Sequence, residues 1–311
     1  MTCTPHRRIL VIKLGALGDI VLSLGPFAAI RKNHPEAYIV LLTTPSFQEF
    51  LGSSGYFDEV WTDIRPTIWQ ITEWLKLRSR LRGGQFTRVY DLQTSDRSGW
   101  YFRLFGRTSR PEWSGVVRGC SNPHSNPRRD FMHSIERQEE QLALAGINSV
   151  PVADLSWANG DISRFGLRDD FVLIIPGGAS HRPDKRWPVK CYAEIASRVI
   201  ANGFQPVVIG AKSETGLGQE IEAKCPKAIS LCGQTKLKDL ASLARHAICA
   251  VGNDTGPIHL VAAAGCRTVV LFSAASDPAL TAPRGPSIQI LDQENLANLS
   301  LESVAAALRL V

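Results

Sequence analysis

Three short polar clusters have the residue types and spacing for chemistry. In the stretch 247–273, the turn Gly252-Asn253-Asp254-Thr255-Gly256-Pro257 separates a strand-like run from a small-residue helical run, with His259 within the next turn. Asp254 or Thr255 would cap that helix, and Gly256 and Pro257 suit a first turn whose backbone N–H groups have no internal partner. Such a helix start attracts anions. Ala262, Ala263, Ala264 and Gly265 keep the helix thin, so a phosphate could sit close to backbone. An ordinary capped βαβ helix has the same pattern, so spacing alone leaves phosphate binding and plain capping both open.

The second cluster is Ile175-Pro176-Gly177-Gly178-Ala179, which leaves a strand at its carboxyl end, followed by Asp184-Lys185-Arg186-Trp187-Pro188 ahead of a helix. Ligands of open α/β sheets gather at such strand ends. Lys185 could neutralise a phosphate or simply be a solvated loop charge, while Trp187-Pro188 suits packing at a helix start. The third cluster is Gly15-Ala16-Leu17-Gly18-Asp19. It lacks the GxGxxG of dinucleotide sites, which disfavours a dehydrogenase. Asp19 fits either a general base or a carboxylate favoured by the positive end of a helix. His259 equally reads as a packed histidine or a ligand contact. No Asp-x-Asp pair is present to hold a divalent cation on a diphosphate, so neither a metal nor a cofactor is expected.

The elements that must position these clusters alternate. Arg8–Leu14 is a β-rich run, and the spacing of Ile20, Leu24, Phe27 and Ile30 predicts a helix ending near Pro35. Further strand-like runs at 37–43, 58–62 and 87–92 alternate with helical patterns at 67–82 and 96–105. That alternation argues a parallel sheet with crossover helices. Residues 118–130 read as a basic surface loop before a helix over 131–145. After a polar linker near 154–170 the alternation restarts: strands over 171–178, 205–211 and 228–233, helices over 188–202 and 213–225. The expected fold class is α/β with two Rossmann-like domains, 1–160 and 161–311.

Composition agrees with a soluble globular protein: 44% hydrophobic and 21% charged residues, with no apolar run long enough to span a bilayer. Lys13 and Asp19 interrupt the apolar stretch at the front, which therefore reads as strand and helix, not signal peptide. Seven cysteines, odd in number and never spaced CxxC, fit a reducing cytoplasm. The net charge of +6 is uneven, since residues 1–150 hold 19 Lys+Arg against 14 Asp+Glu. An N-terminal excess suggests an acidic partner, whether a phosphorylated small molecule, an anionic lipid surface or nucleic acid, or else an ordinary solvated surface.

Taken together, ILVIKLGALGDIVLSLGPFAAIRKNHP, VYDLQTSDRSG, HSIERQEEQLALAGI, PGGASHRPDKRWP and GNDTGPIHLVAAAG resemble the family 9 glycosyltransferases, typified by the ADP-heptose lipopolysaccharide heptosyltransferases. The resemblance covers nearly the whole chain. It implies a GT-B fold with an N-terminal acceptor domain, a C-terminal nucleotide-sugar domain and a cleft between them. Residue by residue, Asp19 matches the family's catalytic base and Lys185 its phosphate-binding lysine. Asp254, Thr255, Gly256 and His259 match its DTGxxH donor motif, Glu214 a ribose-contacting glutamate, and Thr235 a residue beside the adenine.

The function so implied is a cytoplasmic, metal-independent, inverting transferase that moves a heptose from an ADP-sugar to the lipopolysaccharide inner core. Its acceptor would be an anionic glycolipid held by the basic N-terminal half. Arg118, Arg128 and Arg129 are candidates there, with Lys76, Arg78, Arg80 and Arg82 behind them. Peripheral contact with the inner membrane is compatible with this reading, and no nucleic-acid partner is expected. Two alternatives stand beside it: a family 9 transferase using another nucleotide sugar, and an epimerase or non-catalytic nucleotide-sugar binder on the same fold.

Overall fold

The computed structural model describes residues 7–106, 110–178 and 182–310. Ala179, which belongs to the glycine-bearing strand-end motif, lies outside the described residues. Within them, runs such as RILVI and FVLII form strands almost without exposed positions, as expected where helices cover both faces of a parallel sheet.

The first sheet contains β1 (Arg8–Ile12), β2 (Tyr38–Thr43), β3 (Glu59–Thr62), β4 (Arg88–Asp91), β5 (Glu112–Gly115) and β6 (Asn122–Pro123) in the order β3-β2-β1-β4-β5-β6. The second contains β7 (Phe171–Ile175), β8 (Gln205–Val208), β9 (Ile229–Ser230), β10 (Cys249–Asn253), β11 (Thr268–Phe272) and β12 (Ile288–Asp292) in the order β12-β11-β10-β7-β8-β9. Every pairing is parallel. Strand order reverses between β1 and β4 and again between β7 and β10, giving each sheet one topological switch point, where such folds bind ligands. The α/β class expected from sequence is what is observed: two Rossmann-like units of the kind that make up the GT-B class.

Each unit has its own apolar core. In the first, Leu10, Ile12, Val40, Val89, Trp113 and Phe102 pack together; in the second, Val172, Ile174, Tyr192, Ile195, Val251 and Leu271 do so. Contacts divide the chain at Ala153/Asp154, so residues 154–160 pack with the second unit, and Gly160 N–H, for example, donates to Ser242 Oγ at 2.9 Å.

Two helices depart from the periodic reading. The single helix expected from Ile20 to near Pro35 is broken into Leu17–Val21 and Leu24–Asn33. Pro26 explains the break: a residue with no N–H belongs in a first turn and not in a helix interior. The consequence is topological, because Leu17–Leu22 packs with the second unit while Ser23 onward stays with the first. The helix expected over 67–82 runs Ile71–Gly83, since Pro66 and a turn at Thr67–Gln70 keep the preceding residues out of it. No helix among the described residues is long and apolar enough to cross a membrane.

Candidate functional site

The switch point of the second sheet gathers most of the predicted residues. At the end of β10, Asn253 is fully buried and uses its whole amide. Its Oδ1 accepts from the backbone N–H of Trp187 at 3.0 Å and from the Tyr192 hydroxyl at 2.8 Å. Its Nδ2 donates to the carbonyls of Pro176 and Gly177 at 2.9 and 3.0 Å. One side chain thus ties the loop leaving β7 and the start of helix Val189–Ala201 to β10.

Asp254 follows, buried, with a carboxylate bound from three sides. Lys185 Nζ lies 2.6 Å from Oδ2, Ser276 Oγ donates to Oδ2 at 2.8 Å, and His259 Nε2 is 3.4 Å from Oδ1. Burial alone would raise its pKa, but the bonds from His259, Lys185 and Ser276 outweigh it and hold it at about 2. The side chain is therefore an anion that holds Lys185 in place and does not cap the helix. Thr255 occupies the N-cap position of helix Gly256–Ala263, yet its hydroxyl makes no capping bond. The expectation that Asp254 or Thr255 caps this helix is met in position only, and the helix start is left open to a ligand.

Beside that helix start is a cavity of about 640 Å³ lined by Gly177, Gly178, Arg186, Glu214, Thr255 and Gly256, among others. Glu214 is fixed at its edge, Oε1 accepting from Gly178 N–H at 2.8 Å and Oε2 from Ala211 N–H at 2.7 Å. A side chain at position 177 would collide with that carboxylate, which is why glycine stands there. The Arg186 guanidinium donates to the Gly178 carbonyl. Three buried polar atoms at this site lack a hydrogen-bond partner: Thr255 Oγ1, Arg186 Nε and His259 Nδ1. Buried polar groups without partners are uncommon in native folds, and Thr255 and Arg186 both line the cavity. Thr235 is half-buried in the turn before helix Leu237–His246 and does not line the cavity. Its turn packs against Lys212 at Gly233, next to the 211–214 rim.

Asp19 joins this group by packing that periodicity does not reveal. Helix Leu17–Val21 lies against helix Gly256–Ala263 so closely that a Cβ at Gly256 would come within 2.6 Å of Leu17 Cβ. Gly18 abuts the His259 imidazole, where a Cβ would stand 3.2 Å from Cδ2. The next residue, Asp19, is exposed in the first turn of its helix. Asp19, Lys185, Glu214, Asp254, Thr255, Gly256 and His259 thus all belong to one compact unit.

The arginines predicted for the acceptor side belong to the first unit and are not equivalent. Arg118 and Arg128 are exposed. Arg129 is half-buried and oriented, with Nε bonded to His124 Nδ1 at 3.2 Å and Nη2 to Thr94 Oγ1 at 2.6 Å. Thr94 stands just past β4, at the first sheet's switch point, where Gln93 Oε1 accepts from Leu14 and Gly15 N–H at 2.8 and 3.0 Å. Asp91 at the end of β4 has its pKa pushed up to about 6 by burial, against the bonds from Thr94, Ser98 and Gln93.

Asn253, Ser276 and Arg186 are site residues that the sequence reading passes over. A polar side chain closing an otherwise apolar strand was a usable signal for Asn253. Ser276 had none, since it reaches Asp254 from 22 positions away only because β11 lies beside β10.

The second unit is thus a parallel α/β fold that sets an uncapped helix start and a lysine side by side at its switch point, an arrangement of the kind that favours anions. The family model for glycosyltransferase family 9 (heptosyltransferase) matches residues 74–307, and the chain belongs to that family. Lipopolysaccharide heptosyltransferase 2 of Escherichia coli K12 is 27% identical over 312 residues, covering 91% of this chain and 87% of that protein. Among solved structures, E. coli ADP-heptose lps heptosyltransferase II superposes with a TM-score of 0.78 at 24% identity, covering 97% of both chains. E. coli heptosyltransferase WaaC with ADP superposes at 0.77 and 19% identity, covering 96% of this chain and 98% of that one.

Proposed function

We propose that this heptosyltransferase-family protein moves heptose from ADP-heptose to a hydroxyl of the lipopolysaccharide inner core, with inversion at the anomeric carbon. The observation that carries the donor assignment is the convergence at one switch point of an uncapped helix start, Lys185, and the unpartnered Thr255 Oγ1 and Arg186 Nε. The names of the E. coli relative and of the ADP-bound structure support the same reading. The acceptor oxygen attacks the anomeric carbon from the face opposite ADP, Asp19 takes its proton, and the bond from that carbon to the β-phosphate oxygen breaks. Negative charge then gathers on ADP, where Lys185 and the N–H groups at Thr255 and Gly256 meet it. Lys185 exchanges the Asp254 carboxylate for the diphosphate, so it is held ready near the position it needs. Glu214 contacts the nucleoside, Thr235 reaches its adenine end only from behind the 211–214 rim, and Arg129, with the exposed Arg118 and Arg128, contacts the anionic acceptor. The reaction is placed in the cytoplasm, with the protein peripheral at the inner membrane.

Incubation with ADP-heptose and an inner-core acceptor, followed by product analysis, tests this. ADP plus an acceptor extended with the inverted anomer is expected. A preference for another nucleotide sugar would keep the transferase and change the donor. Free nucleotide with an epimerised sugar and no extended acceptor would mean an epimerase, and no product at all a binding protein.

Two further outcomes follow. Because the leaving group is met by fixed protein cations and dipoles, transfer should persist in excess chelator; activity lost to chelator and restored by magnesium or manganese would remove the metal-free mechanism. Lys185→Ala should lower kcat/KM by about thirtyfold, on the order of 2 kcal/mol for one charge-assisted phosphate contact. It should also shift acid unfolding. Asp254 has a folded pKa of about 2 against an ordinary 3.8, so its stabilisation is present above pH about 4 and lost as pH falls toward 2. Removing Lys185 raises the folded pKa toward the ordinary value, so less of this stabilisation is present above pH about 4 and less is lost on acidification. Wild-type kinetics and acid stability in Lys185→Ala would make it a solvated loop charge.

A further inference from the structure

The first unit carries an exposed apolar surface apart from the donor site described above. In the loop after β3 and the first half of helix Ile71–Gly83, Ile68, Trp69, Ile71 and Leu75 are 75, 84, 66 and 54% exposed. Single exposed apolar residues are ordinary, but four within eight positions form a patch that monomeric proteins seldom leave without a use. The helix already has its core face, since Leu77 and Leu81 are buried and Trp74 packs against the first unit's core. Ile71 and Leu75 lie on an adjoining, exposed face, and Arg78 and Arg82 continue their stripe at the helical spacing i, i+4, i+7, i+11.

The loop is held in shape. Trp74 Nε1 donates to the Thr67 carbonyl at 3.0 Å, Thr67 N–H to Gln70 Oε1 at 2.8 Å, and Arg97 Nη2 to the Pro66 carbonyl at 3.0 Å. These bonds present Ile68 and Trp69 outward at the tip. The same helix contains Lys76, Arg78, Arg80 and Arg82 against a single carboxylate, Glu73.

We infer that this stripe is where the protein lies on an anionic phospholipid bilayer, with Ile68, Trp69, Ile71 and Leu75 entering the headgroup boundary and Arg78 and Arg82 meeting lipid phosphates. A tryptophan at the tip, an apolar row and flanking arginines are the chemistry of an interfacial anchor. A second copy of the chain fits less well, because a self-complementary contact would set these arginines against their own kind. The inference deepens the peripheral-membrane part of the function proposed above by naming the surface, and vesicle binding is read without donor or transfer.

The test is co-sedimentation of the full chain with phosphatidylcholine vesicles made with and without phosphatidylglycerol. Binding to the phosphatidylglycerol vesicles, weakened by salt, is expected. Ile68→Ser/Trp69→Ser should lose about tenfold or more of that binding at an unchanged melting temperature, and Arg78→Glu/Arg82→Glu should lose the preference for anionic vesicles. The inference is overturned if no vesicle is bound, if Ile68→Ser/Trp69→Ser binds like wild type, or if the chain self-associates without lipid and this double substitution abolishes it. Failure of vesicle binding with intact transfer to a water-soluble acceptor would remove only the surface. Vesicle binding without transfer would remove only the proposed reaction.

Discussion

Asp19→Asn is expected to transfer heptose at least about 10²-fold more slowly than wild type while binding ADP-heptose with wild-type affinity. The amide keeps the shape of the carboxylate but cannot take the acceptor's proton. Asp19 also stands in the first turn of helix Leu17–Val21, where a negative charge is favoured by the helix dipole, so a purely structural Asp19 would contribute about 0.3–1 kcal/mol of stability. The two roles separate by magnitude. A base contributes about 3 kcal/mol or more to the barrier and almost nothing to folding, whereas a helix-start carboxylate contributes under about 1 kcal/mol to folding and nothing to the barrier. Paired measurement of kcat and chemical denaturation decides. Turnover within about threefold of wild type, with reduced stability, would make Asp19 structural.

Asn253→Ala is the second large effect, and it falls on folding first. The substitution leaves the Trp187 N–H, the Tyr192 hydroxyl and the Pro176 and Gly177 carbonyls without their partner. Each buried orphan costs about 1–3 kcal/mol, and with partial relaxation the sum is about 3–5 kcal/mol. Against a typical total of about 5–15 kcal/mol this is a large fraction. Denaturant unfolding of the second unit measures it, and a loss below about 1 kcal/mol would contradict the fully satisfied amide described above. Asn253→Asp should do no better, because it places an acceptor where two carbonyls need a donor. In either variant the loop leading to Lys185 is no longer tied to β10, so donor affinity should fall with stability.

Much of this was legible in the chain. Continuous apolar runs alternating with helical spacing implied parallel sheets, because a strand covered on both faces has no polar side to show. Both halves do form such sheets, with the same pattern of strand order. The GNDTGPIH and PDKRWP segments stood out because a helix start and a cation leave local signatures. The break in the helix after Asp19 was marked by Pro26 but hidden by good apolar periodicity on either side of it.

Other features lay beyond the reach of sequence. Which sheet the Asp19 helix packs against depends on Gly18 and Gly256 letting two helices approach, a contact between residues more than two hundred positions apart. Local pattern carries no information about such a pair. That Asp254 holds Lys185 and leaves the helix end uncapped depended on Lys185 and Ser276 arriving from elsewhere in the fold, beside His259 from the helix that follows. The exposure of Trp69 was equally hidden, since an aromatic residue within the helical pattern over 67–82 gives no local sign of its surroundings, and only the tertiary structure shows that the helix buries Leu77 and Leu81 and leaves Trp69 outside. Sequence by itself determined the elements, the α/β class and the residue types able to meet a phosphate, because these follow from local periodicity and backbone chemistry. Tertiary structure alone decided which polar groups are partnered and which are left for a ligand, because partnership is set by distances between residues far apart in the chain.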